Sequence, residues 1–270
     1  MNILVLVKPV PDPEHEKDIT FDEASGRLRR EDVPQVIDPQ SKNALEAALK
    51  LAKESGGEPG DVVALAMAPE PSKDKLAEAL AMGADEAYLL SDKAFGCADS
   101  LATSRVLAAA VRRIEDAKAY TFDLILAGMA SSDGGTAHVP VQLAEMLGRD
   151  HISSVCRIEA EEDVIRAVKK TEEVLLTMEG RGPAVLAVTR DINKPRLVTA
   201  MGIIKARKKP VTIWNAEDIG LAEELTGIEG SPTRTGRMIE LSQSRKSEDL
   251  GGSPEEAAHQ ILQIIRKAGI

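Results

Sequence analysis

The segment "GMASSDGGTAHV", Gly128–Val139, has the composition of a loop that binds phosphate. It follows a buried apolar run and enters an amphipathic run, so we expect it to join a strand to a helix N-terminus. Adjacent Gly134 and Gly135 allow close approach to the backbone, and the helix offers free N–H groups and a positive dipole end. The alternative is an ordinary turn capped by Asp133; neither a Walker motif nor G-x-G-x-x-G is present. Hydroxyl groups in the loop come from Ser131, Ser132 and Thr136.

The first apolar run ends in "VKPVPD", Val7–Asp12, where two prolines stiffen the chain. If the first and fourth strands are neighbours, this loop lies beside Gly128–Val139 at one edge of the sheet. The alternative is a rigid connection without a ligand. Asp38-Pro39 and the run Ala66 to Ala68 also follow or precede predicted elements, but alone they indicate little.

The segment Lys194–Trp214 carries the densest basic run, Lys205–Lys209. Apolar side chains flanked by positive charge suit docking to an acidic protein, and the alternative is a solvated helix face. The neighbouring apolar residues are Leu197, Met201, Ile203 and Ile204.

No other residues form a catalytic or metal-binding pattern. The sequence has four histidines, at positions 15, 138, 151 and 259, without metal-ligand spacing. Cys97 and Cys156 are too few for a disulfide framework. We therefore predict no catalytic residue and no metal site in this chain.

Apolar periodicity predicts an α/β fold with a doubly wound, mostly parallel sheet, because strands and helices alternate with short loops. We expect strands over residues 2–7, 61–67, 85–91 and 122–128, and helices over 41–54, 72–83, 98–117 and 138–147. After residue 150, four short runs predict further strands, including a hairpin at Glu161-Glu162. A small hairpin is expected over 19–33 with its turn at Ser25-Gly26, and Gly56-Gly57 should end the first helix. A final helix is expected over 254–267.

Composition limits the classes of function. The chain has 270 residues, a formal net charge of −10 and 2% aromatic residues. This balance disfavours nucleic-acid binding. The absence of a long apolar run or a basic leader indicates a cytoplasmic protein without membrane insertion. We predict a nucleotide-binding α/β domain over 1–214 and a C-terminal arm over 215–270, whose apolar content is too low for a core of its own.

Taken together, these segments resemble the β subunit of electron transfer flavoproteins. The similarity covers nearly the whole chain in order and spacing. It includes "ILVLVKPVPD", "IDPQSKNALEAALKL", "ALAMGADEAYLLSD", "LILAGMASSDGGTAHVPVQLAEMLG", "KPRLVTAMGIIKARKKP" and "LTGIEGSPTR". The resemblance implies an adenine nucleotide alpha hydrolase-like fold and a heterodimer with an α subunit that holds the electron-transferring FAD. It also implies that the C-terminal arm packs on that α subunit.

The resemblance also implies functional residues. Many family members have Asn where Asp38 stands, and respiratory members have Leu-Pro at the docking positions occupied here by Ala200 and Met201. The implied docking residues are Ala200, Met201, Ile203 and Lys205, within Pro195–Lys209. The implied cofactor-binding residues are Leu6, Lys8, Asp38, Pro39, Gln40, Ser41, Met67, Gly128, Met129, Ala130, Ser131, Ser132, Asp133, Gly134, Gly135, Thr136, Ala137, His138 and Val139.

The family has two kinds of nucleotide site. Respiratory members hold a structural AMP, whereas bifurcating members hold a second FAD behind a loop similar to Asp-Gly-x-Thr-Ala-x-Val. The small residues at 134 and 135 favour FAD, and His138 replaces the usual Gln. If FAD is bound, the resemblance implies that NADH supplies a hydride to this flavin. One electron would then pass to an acyl-CoA dehydrogenase or quinone reductase, and the other to ferredoxin or flavodoxin. The AMP reading implies a non-bifurcating carrier.

Two other classes compete with an electron carrier. An ATP-pyrophosphatase-like adenylating enzyme would place an SGGxDS-like loop after the first strand, where this chain has Lys8-Pro9-Val10-Pro11-Asp12. A nucleotide-sensing stress protein would leave residues 190–270 unexplained. Either NADH oxidation belongs to the heterodimer, or this chain carries no enzymatic activity.

Overall fold

The computed structural model describes residues 1–18, 21–22, 27–28, 33–54, 60–161, 164–234, 236, 247 and 249–269. Contacts divide the chain into two units, Met1–Thr235 and Gly236–Ile270. From the sequence, a boundary was predicted between residues 214 and 215. In the structure, residues that follow Trp214 bond to the first unit: the Ala216 N–H donates to Asp92 at 3.0 Å, and Arg105 donates to the Gly230 carbonyl at 2.9 Å.

The first unit is built on a nine-stranded sheet in the order β11-β10-β9-β12-β8-β1-β6-β7-β13. The seven strands from β9 to β13 in this order run parallel, and β10 and β11 are antiparallel additions at one edge. The predicted doubly wound, mostly parallel sheet is therefore confirmed. The strands are β1 Ile3–Leu6, β6 Val62–Met67, β7 Glu86–Leu90, β8 Leu124–Gly128, β9 Asp150–Glu161, β10 Val164–Lys170, β11 Leu175–Arg181, β12 Ala184–Val188 and β13 Val211–Trp214.

Two short antiparallel pairs accompany the large sheet. Strands β2 (Pro9–Pro11) and β5 (Gln35–Ile37) pair with each other, as do β3 (Phe21–Asp22) and β4 (Arg27–Leu28). The second pair agrees with the predicted small hairpin, whose turn at Ser25-Gly26 lies outside the described residues. The Gly56-Gly57 helix end and part of the Glu161-Glu162 turn also lie outside them. The first pair and β13 were not predicted. Strands β2 and β5 have only three residues each, and β2 begins and ends with proline; β13 is a four-residue run that directly follows Pro210.

The helices cover both faces of the sheet. Successive side chains of a strand point to opposite faces, so Ile3 and Val5 pack with α1 and α2, whereas Leu4 and Leu6 pack with α3 and α4. The helices of this unit are α1 Pro39–Glu54, α2 Lys73–Met82, α3 Ser100–Lys118, α4 Val139–Leu147 and α5 Ala200–Ala206. The predicted helices occur at the expected positions, with ends shifted by a few residues.

Helix α6 (Pro254–Lys267) belongs to the second unit and occurs where it was expected. Its N-terminus has a capping box, in which the Ser253 hydroxyl accepts from the Glu256 N–H and the Glu256 carboxylate accepts from the Ser253 N–H. The helix has no buried residue, and its apolar side chains are exposed. Those side chains are Ile261, Leu262, Ile264 and Ile265.

Candidate functional site

The order of the strands creates a crevice between β1 and β8. From β1 the chain proceeds through α1 to β6 on one side, and it later returns through α3 to β8 on the other side. Connections that diverge to opposite faces leave a gap at the carboxyl ends of the two strands, which is where open parallel sheets bind ligands. The predicted loops after the first and fourth strands therefore meet at one edge, as expected if these strands were neighbours.

Gly128, the last residue of β8, lies directly beneath the N-terminus of α1. A Cβ atom added to Gly128 would lie 2.7 Å from Gln40 Cβ, 3.1 Å from the Gln40 carbonyl carbon and 3.2 Å from the Ser41 nitrogen. Two of these three atoms belong to the backbone, so they cannot move aside independently. The absence of a side chain at position 128 therefore lets the start of α1 contact the loop that follows β8.

The first residues of α1 hold that loop by its backbone. The Asp38 carboxylate accepts the Gln40 N–H at 2.9 Å through one oxygen and the Ser132 N–H at 2.8 Å through the other. The Gln40 side-chain oxygen accepts the Ala130 N–H at 3.2 Å. On the first-strand side, the Ser41 hydroxyl accepts the Lys8 N–H at 3.2 Å. Asp38 is only 2% exposed, and its two carboxylate oxygens are satisfied by the Gln40 and Ser132 N–H groups.

Lys8 brings a positive charge to the same loop. Its Nζ donates to Ser131 Oγ at 2.9 Å and forms an ion pair with Asp133 Oδ1 at 2.6 Å. The Asp133 side chain is 4% exposed, whereas that of Lys8 is 43% exposed. The ammonium group therefore compensates a buried carboxylate while it keeps a solvent-accessible side. The N-cap residue of α4 is His138, which forms no side-chain cap bond, so the structure does not show the predicted alternative of Asp133 as the cap of this helix.

The remaining part of the loop turns sharply into α4. Gly135 has φ +63° and Ala137 has φ +56°, both in the left-handed region that favours glycine. The Gly135 N–H donates to the Ser131 carbonyl at 2.9 Å and closes the turn. Thr136 and His138 are exposed, and Val139 begins α4 and packs beside the core. The turn thus presents small and exposed groups on the side of Lys8.

Other predicted site residues lie at the edge of this arrangement. Leu6 and Met67 end the neighbouring strands β1 and β6, and Pro39 is the first residue of α1. Met129 bonds toward the other side: its N–H donates to the Val188 carbonyl at 2.9 Å, and its sulfur accepts from Ser154 at 3.4 Å. The structure therefore brings Lys8, Asp38, Gln40 and Ser41 into direct contact with the loop, and Leu6 and Met67 only near it.

The N-terminus of α3 is a neighbour of the loop that was not predicted from the sequence. Ser100 Oγ lies 3.4 Å from His138 Nδ1, and Ser104 donates to the Gln142 side chain at 3.2 Å. Asp99 caps α3 by accepting the N–H groups of Leu101 and Ala102. An Asp-Ser pair before an apolar run is a helix-start signal, but nothing in the sequence indicates that this helix reaches residue 138.

The predicted docking segment exposes apolar side chains as expected. Leu197 is 88% and Met201 is 60% exposed. Helix α5 begins where Thr199 Oγ1 accepts the Gly202 N–H at 3.0 Å, and Gly202 packs against α2, where an added Cβ would lie only 2.4 Å from the Ala81 oxygen. Ile203, Ile204 and Lys205 are also exposed on this short helix.

Helix α1 also holds the start of the docking segment. The Glu46 carboxylate accepts the Arg196 N–H at 3.1 Å, Nε at 2.7 Å and Nη2 at 3.2 Å. Asn43 Nδ2 donates to the Asn193 carbonyl at 2.9 Å, and Asn193 Nδ2 donates back to the Asn43 carbonyl at 2.9 Å. Asn43 and Glu46 are both buried. Helix α1 therefore contacts both the loop Gly128–Val139 and the docking segment.

These contacts predict acid-sensitive stability. Burial acts to raise the pKa of Glu46, but the hydrogen bonds and charge of Arg196 outweigh it and hold that pKa below its ordinary value. A carboxyl whose pKa is lower in the folded state stabilises the fold above its unfolded pKa and loses that contribution as the pH falls. We expect the free energy of unfolding in urea to fall less between pH 6 and about pH 3 in Glu46→Gln than in wild type.

The matched control for this measurement is Glu78→Gln, which removes a carboxylate from the more exposed ion pair with Lys42. An identical pH dependence in wild type and Glu46→Gln would contradict the argument. Equal behaviour of the two variants, with both differing from wild type, would assign the effect to overall charge rather than to the Arg196 contact.

Neither a metal centre nor a membrane span is found in the part of the chain that the structure describes. Its histidine, cysteine, aspartate and glutamate side chains form no group of three or more that could hold a metal ion. None of the helices formed by these residues is both long and apolar enough to cross a membrane.

The fold and the site define a doubly wound α/β protein with a glycine-rich, lysine-bearing crevice at its topological switch point. The electron transfer flavoprotein domain family matches residues 26–219. The caffeyl-CoA reductase-Etf complex subunit CarD of Acetobacterium woodii is 40% identical over 239 residues, 88% of this chain and 87% of the relative. The electron transfer flavoprotein subunit beta of Clostridium acetobutylicum is 36% identical over 267 residues, 99% and 98% of the two chains. Protein FixA of Azorhizobium caulinodans is 32% identical over 246 residues, 88% and 84%.

The chain belongs to the β-subunit family of electron transfer flavoproteins. The resemblance found in the sequence is confirmed, and so is the general function of such a subunit in electron transfer. The ATP-pyrophosphatase and stress-protein classes are not supported by these matches.

Proposed function

We propose that this chain binds FAD in the crevice between β1 and β8 and acts, together with an electron transfer flavoprotein α subunit, in flavin-based electron bifurcation. The observation that carries the proposal is the contact of Lys8 with Ser131 and Asp133, the residues that lead into the Gly134-Gly135 turn at the switch point. A cation beside a glycine-rich turn suits a pyrophosphate, because the backbone can approach it closely and the charge is complementary.

Glycine at position 134 keeps a side chain out of the space beside Lys8. A Cβ added to Gly134 would lie 3.3 Å from Ser131 Oγ and 3.7 Å from Lys8 Nζ, so a side chain there would occupy the space next to the ammonium. Gly135 has no neighbour within 4 Å of an added Cβ, which leaves its side of the turn open. Glycine at position 134 therefore preserves access to Lys8, and glycine at position 135 suits the positive φ of the turn.

The charges near the turn are also compatible with an anion. Asp133 is the one acidic residue between Gly128 and Val139, and Lys8 compensates it directly. Asp38 is buried and bonded to two N–H groups. A buried carboxylate without such partners would repel a phosphate and would be costly to keep ionised. The Lys8–Asp133 pair is neutral overall, so a phosphate would bind here through N–H groups of the Lys8 ammonium and of the backbone rather than through a net positive charge.

In this proposal the chain's residues bind and orient the cofactor, while FAD supplies the one-electron and two-electron chemistry. Lys8, Ser131 and the turn at Gly134 would hold the pyrophosphate. The relative CarD is a subunit of a caffeyl-CoA reductase-Etf complex by its name. That similarity supports a place for this chain in an assembly that couples electron transfer to a CoA-linked reductase.

The docking segment would contact the electron-transfer partner. Its exposed apolar residues, flanked by Lys205–Lys209, suit an acidic partner surface such as that of an acyl-CoA dehydrogenase or quinone reductase. Met201 is the proposed apolar anchor, with Ala200, Ile203 and Lys205 around it. The amphipathic α6, which buries none of its residues here, would pack on the α subunit as part of the C-terminal arm.

The test is a count of nucleotides. The chain is co-expressed with its α subunit, the purified heterodimer is denatured, and released FAD and AMP are quantified per heterodimer. We expect two FAD and no AMP. One FAD and one AMP would overturn the bifurcation proposal and indicate a carrier whose β subunit holds AMP structurally. Release of no adenine nucleotide beyond the FAD of the α subunit would contradict a nucleotide site in this crevice.

A further inference from the structure

Asp38 and Gln40 were expected to bind the nucleotide, but in the structure their side-chain oxygens accept backbone N–H groups of the protein. Both Asp38 carboxylate oxygens accept backbone N–H groups, one from Gln40 and one from Ser132. The Gln40 side-chain oxygen accepts the Ala130 N–H. We infer that Asp38 and Gln40 are positioning residues, which shape the loop for nucleotide binding without contacting the nucleotide. This inference rests on the proposed nucleotide site.

Burial supports this assignment. Asp38 is 2% exposed, and it stands immediately before Pro39, the first residue of α1. In this position a carboxylate satisfies an N–H of the first helical turn that would otherwise lack a partner. Its second oxygen reaches across to the loop after β8. The side chain therefore joins the helix start to Ser132, and neither oxygen is directed to solvent.

The start of α1 lies close to the loop after β8 because its backbone packs directly against Gly128. The Gln40 and Ser41 backbone lies against Gly128, and the three contacts at Ala130, Ser132 and Lys8 follow within a few residues on either side. Together, Asp38, Gln40 and Ser41 form what we call the latch. The latch fixes the residues that precede the Gly134-Gly135 turn, so it determines where that turn lies relative to Lys8.

Preorganisation of this kind affects all ligands of the turn equally. A residue that bonds to the purine ring would distinguish AMP from IMP, which differ at position 6 of the purine. A residue that only shapes a phosphate loop would change the affinity for AMP and IMP by the same factor. The ratio of the two dissociation constants therefore separates the two roles.

The experiment uses the heterodimer after removal of its nucleotides and measures AMP and IMP binding by calorimetry. In Asp38→Asn, one of the two N–H donors loses its acceptor, because an amide group has only one oxygen. We expect AMP and IMP each to bind about tenfold more weakly, with their ratio unchanged from wild type. Hydrogen exchange should show faster exchange at the Ser132 amide. The control Asp218→Asn removes a carboxylate that accepts the Asn215 N–H in the segment after β13, and it should leave both affinities unchanged.

A second pair of variants keeps the test decisive if Asp38→Asn does not fold. Gln40→Ala removes the acceptor for the Ala130 N–H, whereas Gln40→Glu retains one. We expect weaker AMP and IMP binding in Gln40→Ala. Gln40→Glu should have an intermediate affinity with the same AMP-to-IMP ratio, because its carboxylate restores the acceptor but repels the phosphate of both ligands. A change in the AMP-to-IMP ratio in Asp38→Asn or Gln40→Ala would overturn the inference, as would unchanged affinity in both. Rebinding of FAD to the stripped wild-type heterodimer is measured alongside; if only one FAD and neither AMP nor IMP rebinds, the proposed nucleotide site itself fails.

Discussion

Replacement of Gly128 by alanine is expected to abolish nucleotide retention and to destabilise the protein. The added methyl group would lie 2.7 Å from Gln40 Cβ and close to two backbone atoms of α1, so the helix start must move away from β8. Insertion of one methyl group into a packed site costs about 1–3 kcal/mol of stability. The displacement also breaks the contacts of Asp38 and Gln40 with the loop, so we expect at least a ~100-fold loss of AMP or FAD affinity.

The measurement for Gly128→Ala combines urea denaturation with nucleotide content of the purified heterodimer. Gly180→Ala is the matched control, because Gly180 lies on β11 and an added Cβ there meets no atom within 4 Å. The control should keep wild-type nucleotide content and stability. Full nucleotide content in Gly128→Ala would show that the loop does not depend on the close approach of α1.

Replacement of Lys8 by methionine is expected to weaken nucleotide binding strongly and to lower stability to a smaller extent. The change removes the charge that pairs with Asp133 and the donor that we assign to phosphate. Because charge-assisted hydrogen bonds contribute about 1.5–3 kcal/mol each, we expect nucleotide affinity to fall roughly 10- to 100-fold. The pair is partly exposed on the lysine side, so we expect a smaller stability loss, about 1–2 kcal/mol.

A double variant separates these two consequences. Lys8→Met with Asp133→Asn removes both charges, so it should regain most of the lost stability but not the nucleotide affinity. Lys42→Met is the matched control, since it breaks an ion pair between α1 and Glu78 of α2 instead. Wild-type nucleotide affinity in Lys8→Met would exclude Lys8 from phosphate binding, even if stability fell as expected.

The sequence predicted the elements of the fold well because their signals are local. Continuous apolar runs such as Ile3–Leu6 and Leu124–Gly128 indicate strands buried on both faces, and both proved to be central. Strand β2 was missed because it is held by pairing with β5 rather than by its own composition, whereas β13 has the β-branched and aromatic composition of a strand but is only four residues long. Pairing between segments distant in sequence leaves no periodic pattern in either of them.

The residues of the candidate site were predicted from the sequence, and their binding of a nucleotide stays a prediction. The resemblance identified Lys8, Asp38 and the loop after β8, and the structure brings them together. It could not indicate that the Asp38 carboxylate bonds to the Ser132 N–H, because a sequence shows residue types and not the direction of a side chain. The proximity of Ser100 to His138 depends on how α3 crosses the sheet, which no local pattern encodes.

Helix α1 sets the distance between the crevice and the docking segment. Asp38 at its start and Glu46 eight residues later are separated by about 12 Å along the axis, at 1.5 Å per residue. Because each residue also turns the helix by about 100°, insertion of one residue between Ser41 and Asn43 would rotate Glu46 away from Arg196 while leaving Asp38 in place. Insertions and deletions in this helix should therefore be tolerated far less than substitutions on its solvent-facing side.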